Sequence, residues 1–424
     1  MDWLERAAGM RPDAIAVEDD DGALTYAELL ARARAGAAAL AGAARVAIAL
    51  PPGVEFAVAL HACLQAGAAA VPVDLREPEW RLAGAEKVVD APLPPAARPA
   101  GAGSPPAPAG GAGAPPAAPS PPPDTASPRG SARDLATPAL VVHTSGTTGT
   151  PRPVVLTRAQ ILRNALGCAA ALGLDRHERW LCPLPLSHVG GLMVLLRSAI
   201  YATTAVIGPA DRSDVTVASL VPTQLGRLID RPPPPSLRVV MLGGAPADPT
   251  LLTRARDAGW PVAPTYGLTQ ACSAVTVAEV GDTETSGHPI PGATVEIAPD
   301  GEIVVDGELH TGDLGRLDER GRLIVLGRKV DTIVSGGENV MPSEVEAALL
   351  AHPAVAQAGV FGRPDPEWGE AVTAHVVLNA PADPAELRAF AATRLARFKV
   401  PKTIEAVPSL PRNAAGKLLR RELR

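Results

Sequence analysis

Residues 143–153 read HTSGTTGTPRP, a run of glycines and small hydroxyl side chains that follows the apolar stretch LVVH (140–143). Glycines let a backbone curl until several N–H groups face one point, and Ser and Thr hydroxyls add donors. Such a loop can cradle an anionic phosphate. It is not a Walker A loop, because G-x-x-x-x-G-K-[ST] is missing. A Ser/Thr/Gly run alone is more often an ordinary turn; the whole string behind a strand is more specific. Four further segments carry chemical groups in the same chain. TYGLTQ (265–270) follows strand-like PVAP, and HTGDLG (310–315) sets Asp313 in a tight loop. GRKVDTIVSGGENVMPSEVE (327–346) holds a glycine pair, and PRNAAGKLLRREL (411–423) places Lys417 in a basic stretch.

These groups need a scaffold, and the apolar pattern supplies one. RVAIAL (45–50) and AAAVPVD read as buried strands, with EFAVALHACLQAG (55–67) as the helix between them. TTAVIG, VTVASL and LRVVML are strand-like, whereas PTQLGRLI and PTLLTRARDAG are helix-like. This rhythm predicts an α/β fold with largely parallel sheets. From about residue 293 short antiparallel hairpins take over, one turning at Asp300-Gly301 and one at Glu319-Arg320-Gly321. A smaller α+β unit follows. One of its helices is expected to open at Ser343, with Glu346 in capping-box spacing. Another is expected at Asp383-Pro384, with Glu386 as the acid of its first turn. The domain boundary is expected near residues 327–331, giving 1–327 and 328–424. Residues 91–130 break the pattern: 14 prolines and 6 glycines fill half of them, above the roughly 25–30% that marks low complexity. They read as an exposed flexible spacer inside the first domain.

The bulk numbers narrow the function class. A chain of 424 residues, 46% hydrophobic, is long enough for two or three domains with a large core. A net charge of −6 argues against a nucleic-acid partner. Cys63, Cys168, Cys182 and Cys272 are far apart, which fits a reducing cytoplasm better than disulfides or a zinc site. No signal peptide and no membrane span are expected. Self-association is left open.

Taken together and in this order, the five motifs resemble the adenylate-forming superfamily of acyl-CoA synthetases, adenylation domains and luciferases, along nearly the whole chain. The resemblance implies an N-terminal domain of βα-layered sheets with a β-rich subregion, and a small mobile α+β C-terminal domain. It also implies ATP, Mg²⁺ and coenzyme A. Thr144, Ser145, Gly146, Thr147, Thr148 and Gly149 would hold the β- and γ-phosphates. Gly243, Gly244 and Ala245 would line the adenine site with the motif Thr265, Tyr266, Gly267, Leu268 and Thr269. Within it, Tyr266 would pack on the base and Thr269 would bond the α-phosphate. Asp313 would accept from the ribose hydroxyls, with Arg328 at the ribose and the interdomain seam. Lys417 would bridge the acyl carboxylate and ATP as charge develops. The small domain would then rotate, bringing Gly336 and Gly337 to the pantetheine arm. The segment 180–201, WLCPLPLSHVGGLMVLLRSAIY, together with SGGENVMPSEVE, is most similar to the o-succinylbenzoate–CoA ligases of menaquinone biosynthesis. His188 and Arg197 would then face the acid substrate, His188 also near the chemistry; the alternatives are a packed core histidine for His188 and an arginine that snorkels or pairs structurally for Arg197. Another aryl- or acyl-CoA ligase, a carrier-loading adenylation enzyme and a nucleotide-binding pseudoenzyme are the alternatives.

The chain departs from the superfamily pattern at four places. The phosphate loop ends Arg152-Pro153 instead of Lys-Gly, and arginine is not a mobile point charge like lysine. The polar hinge position is Val330. The glutamate that would contact magnesium is Gln270, and a neutral amide binds Mg²⁺ more weakly than a carboxylate. Activity should therefore need unusually high Mg²⁺, and Gln270→Glu should lower the requirement. A magnesium titration of both proteins checks this; an unchanged midpoint removes Gln270 from the metal.

Overall fold

The computed structural model describes residues 2–76, 84–94, 132–144, 152–412 and 418–423. The Pro/Gly-rich spacer lies almost wholly outside the described residues. The largest sheet has nine strands. Their order from one edge is His288–Pro289, Ser273–Val277, Val262–Leu268, Val239–Leu242, Val217–Leu220, Arg179–Cys182, Thr204–Ile207, Ile15–Glu18 and Ala23–Thr25. The six strands from Val262–Leu268 to Ile15–Glu18 run parallel, and the outer pairings are antiparallel. A five-stranded sheet, Lys87–Val89, Arg45–Ile48, Ala69–Pro72, Pro138–Thr144 and Arg152–Thr157, is parallel except at its last edge.

Alternation along these strands decides the layers. In the nine-stranded sheet Trp180, Cys182, Ala205, Val217, Val239 and Met241 face a core shared with the five-stranded sheet and the helices Val54–Ala66, Arg158–Leu172 and Val189–Tyr201. Leu181, Val206, Ala218 and Val240 point the other way, onto Pro222–Leu228 and Pro249–Asp257. Both faces are thus covered, as parallel sheets require. Val54–Ala66 and Val189–Tyr201 are buried nearly all round, which marks them as central helices. Among the described residues no helix is long and apolar enough to cross a membrane.

The hairpins form as expected. Val295–Ile297 pairs with Glu302–Val305 through a turn with Gly301 at φ +84°, and Leu309–Leu317 pairs with Leu323–Arg328. These four strands make one antiparallel sheet. After a single 3₁₀ turn, Lys329–Asp331, the chain enters a different sheet of Glu338–Val340, Ile333–Ser335, Gly369–Leu378, Val355–Asp365 and Thr403–Ala406. This smaller C-terminal unit has its own core.

One helix start follows the sequence and one does not. Asp383 caps Pro384–Ala392, its carboxylate accepting from the Ala385 N–H at 2.7 Å. The helix expected to open at Ser343 instead spans Pro342–Leu350 with Met341 at the cap and no side-chain cap bond. Pro342 fixes the first helical φ. Ser343 is drawn away by the Leu326 carbonyl, and Glu346 by Arg420 and the Val360 N–H.

The central helix Val54–Ala66 buries His61, and burial pushes its imidazole down to about 4. The unfolded chain takes up the proton below about pH 6.5, while the folded chain does not until about pH 4. Stability is therefore whole above pH 6.5 and falls by about 3 kcal/mol as pH drops to 4. Urea unfolding of wild type and His61→Gln across this range should show that slope only in the wild type.

Candidate active site

The strand Val239–Leu242 ends opposite Pro264 of its parallel neighbour Val262–Leu268. The chain turns at Gly243 and Gly244, the latter at φ +78°. A Cβ on Gly243 would come within 2.5 Å of the Thr265 hydroxyl oxygen. That hydroxyl donates to the Leu242 carbonyl at 3.1 Å, so the glycine loop and the TYGLTQ strand are locked side by side. Gly267 sits hard against the next strand, where a Cβ would meet the Ser273 carbonyl oxygen at 2.1 Å. Thr269 then opens a 3₁₀ turn, Thr269–Ala271, with Gln270 exposed. Cys272 follows at φ +73°, its N–H donating to the Thr269 carbonyl at 2.9 Å. A non-glycine residue in that region is strained backbone, and it holds Thr269 in place. Loops at the carboxyl ends of parallel strands are where open α/β sheets bind ligands.

Tyr266 and Asp313 reach each other from different sheets. The Tyr266 hydroxyl donates to Asp313 Oδ2 at 2.9 Å, and Arg328 Nε lies 3.2 Å from Asp313 Oδ1. Asp313 and Arg328 face each other in the ladder between Leu309–Leu317 and Leu323–Arg328. Burial, and then the Asp313 charge, push the Tyr266 phenol well above its ordinary range. Each carboxylate oxygen has about two acceptor positions, so one on each remains for another donor. Beside this cluster Glu302 accepts the Gly312 N–H at 2.8 Å and lies 3.3 Å from Lys329 Nζ.

His188 is the cap residue of Val189–Tyr201, half-buried, with no side-chain cap bond. Ser187 contacts Asp74 at 3.5 Å, and Asp74 is paired with Arg76 at 2.6 Å. The Arg76 hydrogen bond, with smaller help from His188, holds the Asp74 carboxyl down at about 2. Asp74 and Arg76 escaped the sequence reading, since an acid and an arginine two apart after a strand resemble any surface pair. Arg197 lies elsewhere, roughly 13 Å further along the helix at about 1.5 Å per residue. It does not snorkel: it is 2% exposed, donates to Asn164 Oδ1 at 2.7 Å and lies 5.5 Å from the Trp180 ring centroid. Among the described residues no carboxylate pairs with it, and its Nε has no hydrogen-bond partner.

In the C-terminal unit Gly336 and Gly337, at φ +61° and +83°, turn between Ile333–Ser335 and Glu338–Val340. The Gly336 N–H donates to the Trp368 carbonyl at 2.8 Å, and Lys402 Nζ sits 4.0 Å over the Trp368 ring. Thr144 ends the strand Pro138–Thr144, its hydroxyl donating to the Arg152 carbonyl at 3.3 Å. Ser145, Gly146, Thr147, Thr148, Gly149 and Lys417 lie outside the described residues. The structure thus brings Gly243, Thr265, Tyr266, Asp313 and Arg328 into one neighbourhood. It places His188 and Arg197 apart.

Residues 4–317 match the AMP-binding enzyme family, and residues 344–417 match the AMP-binding enzyme C-terminal domain. The chain is 35% identical over 477 aligned positions to the 2-succinylbenzoate–CoA ligase of Bacillus licheniformis, covering 99% of this chain and 98% of that one. The solved o-succinylbenzoate coenzyme A synthetase of Bacillus subtilis in complex with ATP and magnesium ion superposes with a TM-score of 0.83 at 30% identity, covering 100% and 99%. The same enzyme with its acyl-adenylate intermediate gives 0.82 at 30%, covering 100% and 98%.

Tyr266→Phe removes one donor from a half-buried carboxylate. A hydrogen bond to a charged group is worth about 1.5–3 kcal/mol. The variant should lose stability of that order in urea, with an unchanged m-value, and should bind ATP several-fold more weakly by calorimetry.

Proposed function

Because the chain belongs to the AMP-binding enzyme family, we propose that it converts o-succinylbenzoate, ATP and coenzyme A to o-succinylbenzoyl-CoA, AMP and diphosphate through an acyl-adenylate. The observation that carries this reading is the Tyr266–Asp313–Arg328 cluster beside the Gly243–Ala245 loop, in a chain that aligns end to end with ligases of this class. We assign 1–327 as the nucleotide- and acid-binding domain and 328–424 as the mobile domain. The cytoplasm is its compartment, in keeping with four free, buried cysteines.

A carboxylate is a poor acyl donor because oxide would have to leave. Transfer to AMP replaces that leaving group. Asp313 has acceptor positions left for the ribose hydroxyls, and Tyr266 holds it in place while packing beside the base. Gly243, Gly244 and Ala245 allow close approach of the adenine. The loop from Thr144 to Gly149 holds the β- and γ-phosphates, Thr269 bonds the α-phosphate, and Lys417 offsets the charge that builds as diphosphate departs. Among the described residues no group of three or more His, Cys, Asp or Glu side chains converges. This fits Mg²⁺, which keeps water and phosphate oxygens in most of its shell. The exposed Gln270 amide would supply one oxygen to it, and the ion would supply charge neutralisation of the triphosphate. After adenylation the small domain turns, removing Lys417 and bringing the Gly336–Gly337 turn to the thiol.

The acid carries a second carboxylate on its ring, and a buried carboxylate without a partner costs several kcal/mol. Arg197 is a buried cation held by an amide and a ring, with no carboxylate paired to it among the described residues. His188 stands at a helix N-terminus, where negative charge is favoured. The reacting carboxylate goes to the α-phosphate beside Thr269 and Lys417, and His188 and Arg197 are the two candidates for the ring carboxylate. Wild type should prefer o-succinylbenzoate over 4-oxo-4-phenylbutanoate, which lacks the ring carboxylate. Arg197→Ala should shrink that preference by roughly 10²-fold, since losing one member of a desolvated pair typically costs about 3–5 kcal/mol. If His188 is the partner instead, His188→Ala should shrink the preference and Arg197→Ala should not. The measurement is kcat/KM for each acid; equal use of both by wild type overturns the substrate. ATP–diphosphate exchange separates any ligase from a nucleotide-binding pseudoenzyme.

A further inference from the structure

The hinge turn is pinned differently on its two sides. Before it, Arg328 pairs with Asp313, and Lys329 pairs with Asp300 at 2.6 Å and Glu302 at 3.3 Å, all on the four-stranded sheet. After it, Asp331 Oδ2 lies 3.6 Å from Arg420 Nε. Val330, between them, is 64% exposed. Arg420 comes three residues after Lys417. Its guanidinium is also gripped in a fork by Glu346, at 2.9 and 2.8 Å. Glu346 in turn accepts the Val360 N–H at 2.8 Å, tying the grip to Val355–Asp365, the long strand of the C-terminal sheet. Both flanks of the lysine segment are fixed to the same body. Arg412 bridges to Leu418, and Leu418 packs with Phe361, Leu410 and Leu423.

We propose that Arg420 is a positioning residue for Lys417: through Glu346 and Asp331 it fastens Leu418–Leu423, the chain that follows the lysine, to the far side of the hinge turn, so that the hinge and this chain move as one piece. A bidentate arginine fork fixes orientation as well as distance. An arm whose delivery is set by rotation at Val330 must be stiff from Asp331 to Lys417, or the rotation is spent in bending. Neither Arg420 nor Glu346 is expected to touch substrate. The effect belongs to the half-reaction that uses Lys417, and the proposal rests on the acyl-adenylate reading above.

The test measures acyl-adenylate formation and thioester formation from supplied acyl-adenylate separately, on the full chain. Arg420→Gln should slow the first about tenfold or more, because small misplacements of a reacting group are that costly. It should slow the second less than about threefold, and Arg420→Lys should restore part of the loss. Removing the partner of half-buried Glu346 can unfold the small domain, so Asp331→Asn, at a more exposed carboxylate, serves as the second variant. It should slow adenylation alone, and combined with Arg420→Gln it should add little. Equal loss in both half-reactions, or no loss in Asp331→Asn, overturns the proposal. Lys417→Ala is the control. If that variant keeps its adenylation rate, the role of Lys417 fails first; if it loses adenylation while Arg420→Gln and Asp331→Asn do not, only the positioning role fails.

Discussion

The Asp313 carboxylate is the point on which three parts of the molecule meet. Tyr266 reaches it from the nine-stranded sheet, Arg328 reaches it from the last strand before the hinge, and Asp313 itself sits on the four-stranded sheet. One half-buried charge therefore ties the strand Val262–Leu268 of the nine-stranded sheet to the four-stranded sheet and to Arg328, the last residue before the 3₁₀ turn. A carboxylate in that position must be paired, because burial without partners is costly. Pairing it with a phenol and an arginine leaves acceptor capacity free, which a third protein donor would remove. Structural need and ligand binding thus draw on the same atoms without competing for them.

The same economy governs the hinge. Charged contacts lie one or two residues to either side of Val330. Backbone rotation is cheapest where no side chain is held. An exposed apolar residue such as Val330 has no partner to lose, so the proposed rotation would fall on its neighbours' ion pairs. Exposed ion pairs are worth little individually, so those of Lys329 can exchange without a large barrier. The half-buried Glu346–Arg420 fork is the stronger attachment, and both of its residues lie in the C-terminal unit.

Much of this was legible in the sequence because it is written locally. Parallel strands appear as short apolar runs, and hairpins as Asp-Gly or Arg-Gly turns between alternating residues. Asp383-Pro384 announced its helix because cap and first turn lie within a few residues. Ser343 misled for the converse reason. Its spacing to Glu346 was right for a capping box, but the Leu326 carbonyl and Arg420 lie far away in sequence and took both side chains. Asp74 was invisible because its partner Ser187 is 113 residues away. Arg197 could be placed on an apolar helix by periodicity, but nothing local said whether it would reach water or stack on Trp180.

The departures from the superfamily pattern acquire a physical meaning from where they fall. Pro153 pairs opposite His143 in Arg152–Thr157, which is the edge strand of the five-stranded sheet. An edge strand has one side without a ladder partner, so a residue lacking an N–H is tolerated there. Gln270 is exposed on a turn whose geometry is set by Cys272 and Thr269, so exchanging acid for amide leaves the backbone unaltered. Val330 is exposed on the hinge. None of the three is a position where packing dictates the residue. The fold therefore constrains them weakly, and under the proposed function their consequences would fall on charge near the triphosphate and on the ease of domain rotation. These are quantities that set how fast such an enzyme turns over, while the site defined by Gly243, Tyr266, Asp313 and Arg328 keeps its shape.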